Sequence, residues 1–455
     1  MDSESYAIVD KSTNADETAR SRLTEISNLS GVTKVVGLSD LHQANQETPT
    51  SIVTASDGMV YPELSSNVIN CGMSLLTTSL REEDITSEFV SEFCTELAAV
   101  ADRYGPDRED AIQILRRGAE YVTERWDCDH EVLGHIENGG SMFEDPESVD
   151  IDNIVPPWVL RYGGTYDNTP IPSLGSNHFI EFQVVDDIVD EATAKKWGLE
   201  EGQVVVFLHG DYTLTSIINW HHANRLKFRE RIPFADRAKM QASKAAFHLW
   251  RDGPSNFLAN WRQYDNRGRY TGFNADSPNG KQLVTAIYGA MNFGYANRLL
   301  AFLSIRDAID SLHPDGTPAD LLWDVGHDTV QKEVYEGEEY WVHRKGAAKA
   351  VLDKPAIISG SYNMNSFLGK GTPGAEANIS SYDHGCSNII EYFESEGTLE
   401  SLKYTTRRFS YADGSFRDEV THVDPKPIET LVDSLVDEDV VSKVAWLRPV
   451  ANVGK

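Results

Sequence analysis

The sequence has no long hydrophobic run and few cysteines. No segment approaches the roughly 20 consecutive apolar residues that a membrane-spanning helix needs, which argues against an integral membrane protein. The opening segment, MDSESYAIVD, has neither a basic region nor an apolar stretch, so we do not expect a secretory signal. The cysteines, at positions 71, 94, 128 and 386, form neither a CxxC pair nor the disulfide framework of a secreted domain. We therefore expect a protein of the reducing cytoplasm.

Positive charge is also scarce. The chain has 41 Lys and Arg residues but 71 Asp and Glu residues, which gives a formal net charge of −30. Proteins that bind nucleic acid normally displace counterions with Lys and Arg, so composition alone argues against an RNA partner. A surface rich in carboxylates and poor in lysine is typical of proteins that work at high salt, where charges are strongly screened. Halophilic origin is one hypothesis that explains this composition.

The hydrophobic pattern predicts both helices and strands. Apolar residues at i, i+3, i+4 and i+7 predict helices in 83–125, and 214–262 and 281–312 also have helical character. Short apolar runs at 179–185 and 204–209 predict strands, and similar runs occur in the last third of the chain. A long, ordered loop is expected where Gly, Pro, Asp and Ser are abundant, in residues 138–175.

These elements neither alternate regularly nor separate into halves, which favours an α+β fold. We expect a single large domain with a mixed β-sheet core. Residues 1–30 are polar and show no hydrophobic periodicity, so we interpret them as a loose lead-in and place the domain at residues 31–455.

One cysteine and several histidines occur at predicted strand-to-loop junctions: Cys71, His178, His209, His327 and His384. A thiolate can bridge two metal ions and neutral imidazoles can complete such sites, so this set could bind one or two divalent ions. The alternative is that the histidines are satisfied core residues, since the chain has 13 of them and dispersed ligands are a weak pattern.

Six short motifs narrow these alternatives. They are NCGM, LGSNHFIEFQ, AMNFGYANR, WDVGHD, VHRKGAAKA and DHGC, and they occur in that order. Together with SDLHQ, RRGAEYV and LRPV, they resemble the RtcB family over residues 31–455. The resemblance implies a single α+β domain around a deep, metal-containing cleft. It also implies a GTP-dependent RNA ligase for splicing or repair, which joins 3′-phosphate or 2′,3′-cyclic-phosphate ends to 5′-hydroxyl ends.

The resemblance also implies roles for individual residues. His384 would attack GTP and become guanylylated. Manganese is the family's metal, although ligand softness alone suggests zinc or iron, and another divalent ion remains an alternative. One or two ions would be held by Cys71 as a bridging thiolate and by His178, His209 and His327. The implied nucleotide-contacting residues are Asn177, His178, Glu181, His327, Asp328, Ser359, Gly360, Ser361, Tyr362, Ser366, Gly385, Cys386 and Ser387.

The chain departs from the family pattern at functional positions. Val68 stands where the family has a metal-ligating aspartate, and Thr213 and Asn388 stand where it has arginines. Neither Thr nor Asn can replace the bidentate phosphate contacts of an arginine. The family's glycine-rich segment is replaced by ANQETPT at 44–50, and its C-terminal lysine is displaced by one position to Lys455. Asp40, in the SDLHQ motif, is a hypothetical replacement for the carboxylate missing at Val68.

Two other functions remain open at this point. A protein without ligase activity could bind nucleotides or RNA ends through the same cleft. A single-metal hydrolase could use Cys71, His209 and His327 to activate water for phosphoester cleavage, since three protein ligands leave a coordination position open. Only a ligase should carry covalent GMP on His384, and only a hydrolase should cleave a phosphoester without GTP. The oligomeric state is not predicted.

Overall fold

A computed structural model of the chain describes residues 7–12, 14–43, 48–161, 169–172, 174, 177–222, 234–264, 269–335 and 337–454. The helices are Glu17–Ser27 (α1), Ser87–Tyr104 (α2), Arg108–Arg117 (α3), Ala119–Arg125 (α4), Glu191–Lys196 (α5), Thr213–His222 (α6), Phe234–Tyr264 (α7), Pro278–Leu312 (α8), Ser387–Ser395 (α9) and Lys426–Asp437 (α10). Several 3₁₀ turns lie between them, and α7 is interrupted at Gly253, which is followed by a proline.

The strands are Ala7–Asp10 (β1), Val32–His42 (β2), Thr50–Ser56 (β3), Met59–Val60 (β4), Gly72–Arg81 (β5), Phe179–Ile188 (β6), Gln203–Gly210 (β7), Phe273–Asn274 (β8), Asp320–Gly326 (β9), Val330–Tyr335 (β10), Glu338–Lys345 (β11), Ala347–Lys349 (β12), Pro355–Ile358 (β13), Ser366–Gly371 (β14), Ser381–Asp383 (β15), Ser401–Ser410 (β16), Phe416–Val423 (β17) and Val441–Gly454 (β18).

The largest sheet has the order β13-β14-β18-β6-β7-β5-β9, and β16 and β17 are attached to it through β18. Its pairs are antiparallel except for β16 with β18, which are parallel. Strand β7 is buried along its whole length, as expected for a strand covered on both faces. A second sheet has the order β1-β2-β3-β11-β10, and its β1–β2 pair is parallel. The predicted α+β fold with a mixed sheet core is confirmed.

Two hydrophobic cores cover opposite faces of the large sheet. One core joins α2, α3, α4, α6 and α8 to apolar side chains of one face, while the other joins α5, α9 and α10 to the remaining face. Helix α8 is buried almost all round between residues 286 and 305, which explains why its sequence lacks a polar face. The helices predicted in 83–125 and 281–312 are present, and a break at Gly118 divides the second helix of the first region into α3 and α4.

The expectation of a loose lead-in before residue 31 is wrong for its described part. Helix α1 buries Ala19, Leu23 and Ile26 against the second sheet, and the side chain of Asp16 caps its first turn. Three apolar residues on one face are too few to dominate such a polar segment, so the periodicity is easy to miss. The loop expected at 138–175 contains short 3₁₀ turns joined by irregular segments in its described part, and residues 162–168, 173, 175 and 176 lie outside the described residues.

Across the described ranges, the search for a helix with the length and apolar character of a membrane span finds none.

Candidate metal and nucleotide site

Four adjacent strands bring the predicted cysteine and histidines together. The strand order β6-β7-β5-β9 is antiparallel throughout, so the start of one strand lies beside the end of the next. His178 comes directly before β6 and Cys71 directly before β5, whereas His209 lies near the end of β7 and His327 directly after β9. All four therefore meet at one edge of the large sheet.

The start of β5 is held by a buried ion pair. The guanidinium of Arg298, on α8, donates to both carboxylate oxygens of Asp324 at 2.6 and 2.9 Å and to the carbonyl of Asn70 at 2.7 Å. A Cβ on Gly72 would lie 2.6 Å from the guanidinium carbon of Arg298. Only glycine leaves room for this contact, which explains why a glycine follows Cys71 and why the thiol is fixed in position.

The ligand atoms are separated by distances that suit a shared metal ion. Cys71 Sγ lies 3.4 Å from His209 Nε2 and 3.7 Å from His178 Nε2, and His209 Nε2 lies 3.0 Å from His327 Nε2. Tetrahedral coordination of a zinc-sized ion separates a thiolate sulfur from an imidazole nitrogen by about 3.6 Å and two imidazole nitrogens by about 3.3 Å. The side chains of Cys71, His178 and His209 form a group whose ligand atoms all lie within 4.8 Å of one another.

The protonation state of His209 also fits metal binding. Its Nδ1 lies 2.7 Å from the carbonyl oxygen of Asn177, so Nδ1 carries the proton and donates it. This leaves an unprotonated Nε2 directed toward Cys71 and His327. Burial, reinforced by neighbouring histidines, lowers the pKa of both His209 and His327 well below the ordinary value, so both are neutral near pH 7.

The thiol of Cys71 is protonated when no cation is near it. Burial raises its pKa well above the ordinary value, and the carboxylates of Asp211 and Asp328 add to the increase. A divalent cation would reverse this electrostatic balance and favour the thiolate. The donor set of thiolate and neutral imidazoles therefore fits a divalent transition-metal ion.

His384 lies next to this cluster and has its own fixed tautomer. Its ring stacks on the ring of His327, with centroids 4.1 Å apart and an angle of 18° between planes. Nδ1 donates a hydrogen bond to the carbonyl oxygen of Gly346 at 2.8 Å, which leaves the lone pair of Nε2 available. Burial lowers the pKa of His384 to about 4, so the side chain is a neutral potential nucleophile near pH 7.

Gly346 connects His384 to the metal-binding edge. Its N–H donates to Asp328 Oδ1 at 2.9 Å, while its carbonyl accepts the bond from His384. The residue has φ +63°, and a Cβ there would lie 2.3 Å from Thr50 Cγ2. The other carboxylate oxygen of Asp328 lies 3.6 Å from His327 Nδ1, so Asp328 contacts the outer nitrogen of the ring rather than its metal-facing nitrogen.

A cavity of about 430 Å³ opens beside His384. It is large enough for part of a nucleotide. The predicted site residues that line it are Asn177, His178, His209, Ser359, Gly360, Ser361, Tyr362, His384, Gly385, Cys386 and Ser387.

Other predicted nucleotide contacts lie behind the cavity wall. Ser366 Oγ accepts a hydrogen bond from the N–H of Gly360 at 3.2 Å and supports that loop. Glu181 is buried in β6, where burial raises its pKa to about 7, and it accepts hydrogen bonds from Gln183 and from the cavity-lining Asn452. His327 and Asp328 belong to the metal-binding edge described above.

The positions that depart from the family pattern contribute little to this site. Val68 is half-buried, Thr213 begins α6 at an exposed position, and Asn388 is half-buried on α9. The carboxylate of Asp40 is engaged elsewhere, since it accepts a hydrogen bond from the N–H of Ile389 at 2.9 Å in the first turn of α9. Lys455 and residues 44–47 lie outside the described residues.

The charged HRKG segment at 343–346, within the VHRKGAAKA motif, is not a solvated strand end. His343, Arg344 and Lys345 are all buried in β11. Arg344 forms an ion pair with Glu333 of β10, and the ammonium of Lys345 donates to the carbonyl of Thr48. These cations therefore hold the second sheet together instead of presenting a basic surface.

Sequence reasoning missed three charged residues at the site. Asp211 follows β7, and its Oδ2 lies 3.6 Å from His178 Nε2. Arg408 and Arg417 line the cavity from the hairpin of β16 and β17. Arg408 is paired with Asp418 through two hydrogen bonds and lies 4.9 Å from the ring centroid of Tyr362. Asp211 could have been found from its spacing, because residues i and i+2 of a strand share a face and His209 was already suspected.

Comparison with known proteins gives a consistent result. The sequence profile of the family described as tRNA-splicing ligase RtcB matches residues 22–455. The chain is 26% identical to the tRNA-splicing ligase RtcB of Methanococcus maripaludis over 435 residues, which cover 87% of this chain and 82% of that protein. It is 27% identical to the protein of the same name from Pyrococcus furiosus over 362 residues, 71% of this chain but only 33% of that relative. The match to the Thermococcus kodakarensis protein is 25% over 371 residues, with 74% and 68% covered.

Proposed function

Because the chain belongs to the RtcB family, we propose that it is an RNA ligase that uses GTP and a divalent metal ion, with His384 as the nucleophile. Its substrates would be RNA 3′-phosphate or 2′,3′-cyclic-phosphate ends and 5′-hydroxyl ends, as in tRNA splicing or RNA repair. The observation that carries the proposal is the placement of a neutral, tautomer-fixed histidine between a Cys/His cluster and a cavity large enough for part of a nucleotide.

His384 has the properties that nucleophilic attack on a phosphate requires. The hydrogen bond from Nδ1 to Gly346 holds the ring and keeps the lone pair on Nε2. With a pKa of about 4, the imidazole needs no deprotonation before it reacts near pH 7. The phosphoramidate that histidine forms is labile enough to pass the guanylate on to a second acceptor.

Cys71, His178, His209 and His327 would hold the metal. A bound divalent ion neutralises the charge of the triphosphate and favours in-line attack at the α-phosphorus. Manganese is our expectation from the family, while zinc or another divalent ion also suits the donors. We further propose a reducing, cytoplasmic environment, since the thiol of Cys71 must remain reduced to bind metal.

The proposed reaction has three transfers. His384 Nε2 attacks the α-phosphorus of GTP, and pyrophosphate leaves. The RNA 3′-phosphate then attacks the same phosphorus, and the P–N bond breaks to regenerate neutral His384. Finally, the 5′-hydroxyl attacks the activated RNA phosphate, loses its proton and expels GMP, which leaves a phosphodiester. A 2′,3′-cyclic phosphate is first opened by water to give the 3′-phosphate.

The cavity supplies groups for binding the guanylate. Hydroxyl and backbone groups from the loop at 359–362 and from residues 385–387 line it, together with Asn177. We propose that Arg408 and Arg417 provide anion contacts in place of the family arginines that Thr213 and Asn388 replace. Because guanidinium groups bind phosphate through paired hydrogen bonds, two arginines at one cavity can offset much of that loss.

The test is incubation with α-³²P-labelled GTP and Mn²⁺, followed by a denaturing gel. We expect an acid-labile label on wild-type protein and none on His384→Ala. A matched control is His130→Ala, since His130 is an exposed histidine in a 3₁₀ turn outside the cavity, and this variant should be labelled normally. The experiment is run at low and at molar salt because of the charge of −30.

The outcomes separate the candidate functions. Label that persists in His384→Ala would reject His384 as the nucleophile. No label at any salt on folded, metal-loaded wild type would reject the guanylyltransferase step. Hydrolysis of a phosphoester without GTP would then favour the single-metal hydrolase, whereas GTP or RNA-end binding without turnover would favour a binding protein.

A further inference from the structure

His178 Nε2 is approached by two potential metal ligands. Cys71 Sγ lies 3.7 Å from this nitrogen, and Asp211 Oδ2 lies 3.6 Å from the same nitrogen. Ligands of one tetrahedral ion place a carboxylate oxygen about 3.4 Å and a thiolate sulfur about 3.6 Å from an imidazole nitrogen. Each distance is close to that of two donors on one ion. The compact group, whose ligand atoms all lie within 4.8 Å of one another, is Cys71, His178 and His209, and Asp211 adjoins this group through His178.

Asp328 gives a comparison within the same site. Its carboxylate lies 3.6 Å from Nδ1 of His327, the nitrogen on the opposite side of the ring from the cluster, which is too long for a hydrogen bond. A carboxylate that positions a metal-bound histidine contacts that outer nitrogen. Asp211 instead approaches the nitrogen that faces Cys71, so its place is that of a ligand rather than of an orienting group.

Strand pairing explains why Asp211 is there. In the antiparallel pair of β5 and β7, Gly72 is opposite Gly210 and Met73 is opposite His209. Continuing this register by one residue places Asp211 opposite Cys71. Opposite residues of an antiparallel pair share a face of the sheet, and Asp211 also shares the face of His209, two residues earlier.

Electrostatics favours a carboxylate at this point. Imidazole ligands carry no negative charge, so the thiolate of Cys71 alone would offset little of the charge of one or two divalent cations. Val68, three residues before Cys71, has no atom that can ligate. The side chain of Asp211 is 24% exposed, so its carboxylate lies at the solvent-accessible edge of the cluster rather than in its buried centre.

We propose that Asp211 is a metal ligand and that it holds a divalent ion together with Cys71 and His178. The inference concerns the same site as the proposed ligase function and shares with it only the assumption that the site binds a divalent metal. His209 and His327 would then hold a second ion, and Cys71 would lie between the two ion positions.

The test measures metal binding without GTP or RNA. Metal-free protein is titrated with Co²⁺, and binding is followed by visible absorption and by metal analysis after gel filtration. Asp211→Asn keeps the size and polarity of the side chain but removes its charge. We expect at least about a 10-fold weaker affinity for one Co²⁺ and a changed d–d spectrum, with folding checked by thermal unfolding.

Two further variants make the test specific. Asp187→Asn removes an exposed carboxylate from the far end of β6 and should leave Co²⁺ affinity unchanged. In the double variant Val68→Asp/Asp211→Asn, a carboxylate returns three residues before Cys71, and we expect it to recover most of the lost affinity. Recovery would show that the cluster requires a carboxylate ligand and that Asp211 supplies it.

The inference is overturned if Asp211→Asn binds Co²⁺ with unchanged affinity and spectrum, or if Asp187→Asn weakens binding equally. It is also overturned if folded wild type binds no Co²⁺. Guanylylation is scored separately with labelled GTP, so the two ideas can fail independently. If Asp211→Asn binds metal weakly and wild type is not labelled by GTP, Asp211 is a ligand but the protein is not a guanylylated ligase. If Asp211→Asn binds metal normally and wild type is labelled, the ligase proposal stands and Asp211 is not a ligand.

Discussion

The metal-binding edge and the mouth of the cavity are held by different kinds of structure. Cys71, His209 and their partners lie at the ends of neighbouring strands, where pairing on both sides fixes the backbone. Arg408 and Arg417 lie on a hairpin at the border of the sheet, and Tyr362 lies in a loop between β13 and β14. The first region can accept a new ligand only at a position that already faces the cluster, whereas the second can gain a charge from any nearby loop or hairpin.

This contrast explains how each region departs from the family pattern. At the metal-binding edge, Val68 stands in place of the family's carboxylate, and the replacement we propose, Asp211, lies two residues beyond His209. At the cavity mouth, Thr213 and Asn388 stand in place of arginines, and the replacements we propose come from β16 and β17, distant in sequence. Substitutions that disturb the sheet edge should therefore have larger effects than substitutions on the hairpin.

The largest effect is expected from Cys71→Ala. It removes the thiolate from the centre of the cluster, so we expect at least about a 100-fold loss of Co²⁺ affinity, loss of the sulfur-to-cobalt charge-transfer band and no detectable guanylylation. Cys94→Ala, on a buried face of α2, is the control and should keep all three properties. Normal cobalt binding by Cys71→Ala would show that the thiolate is not a metal ligand. It would also show that the sheet edge is no more sensitive to substitution than the hairpin.

A smaller effect, on the nucleophile more than on the metal, is expected from Gly346→Ala. The added Cβ is forced against Thr50 at a positive φ, so we expect about 1–3 kcal/mol lower unfolding free energy and a guanylylation rate about 10-fold lower. Gly397→Ala is the matched control, because Gly397 has φ +65° but no atom within 4 Å of the added Cβ. Urea unfolding and labelling rates measure both effects. Equal guanylylation rates in the two variants would show that Gly346 does not position His384.

The cavity mouth should respond more weakly. For Arg417→Ala we expect about a 5–10-fold weaker GTP affinity and a smaller dependence of that affinity on salt, because one anion contact is lost. Arg408→Ala should have a smaller effect, since Asp418 already neutralises that guanidinium. Equilibrium GTP titration at two salt concentrations measures both. If the order is reversed, Arg408 is the phosphate contact and its pairing with Asp418 is broken by the ligand.

The smallest effect on the site itself is expected from β11, outside both regions, where the change is in stability. Burial lowers the pKa of His343 to about 4, compared with about 6.5 in an unfolded chain, and its Nε2 accepts a hydrogen bond from the N–H of Tyr61. The folded state therefore binds fewer protons between these values. The stabilising contribution is complete above pH 6.5 and is lost as pH falls towards 4, with about 2 kcal/mol lost by pH 5.

Urea unfolding of wild type and His343→Gln at pH 7 and pH 5 measures this contribution. The variant should be less stable at pH 7 but should lose less stability on acidification. Equal losses in the two proteins would show that other buried histidines account for the pH dependence.

The sequence was sufficient for the fold class and for the ends of the strands that carry Cys71, His209 and His327, because apolar runs followed by metal-binding side chains are local patterns. The spacing of Asp211 from His209 could have placed both on one face of a strand, but its position opposite Cys71 depends on which strand pairs with β5. The sequence also did not reveal that Arg344 is buried against Glu333, because an ion pair across two strands has no local pattern. The roles of the nucleotide-contacting residues remain predictions.

Gly346 links metal binding near His327 to the position of the His384 imidazole, which a reaction scheme would treat as separate. Its N–H is bonded to the residue that follows the metal-facing His327, and its carbonyl is bonded to His384. A shift of the β9 end would therefore reach the imidazole of His384 through this one residue. The consequence we expect is thermodynamic coupling, in which occupancy of the metal site and orientation of the imidazole depend on each other.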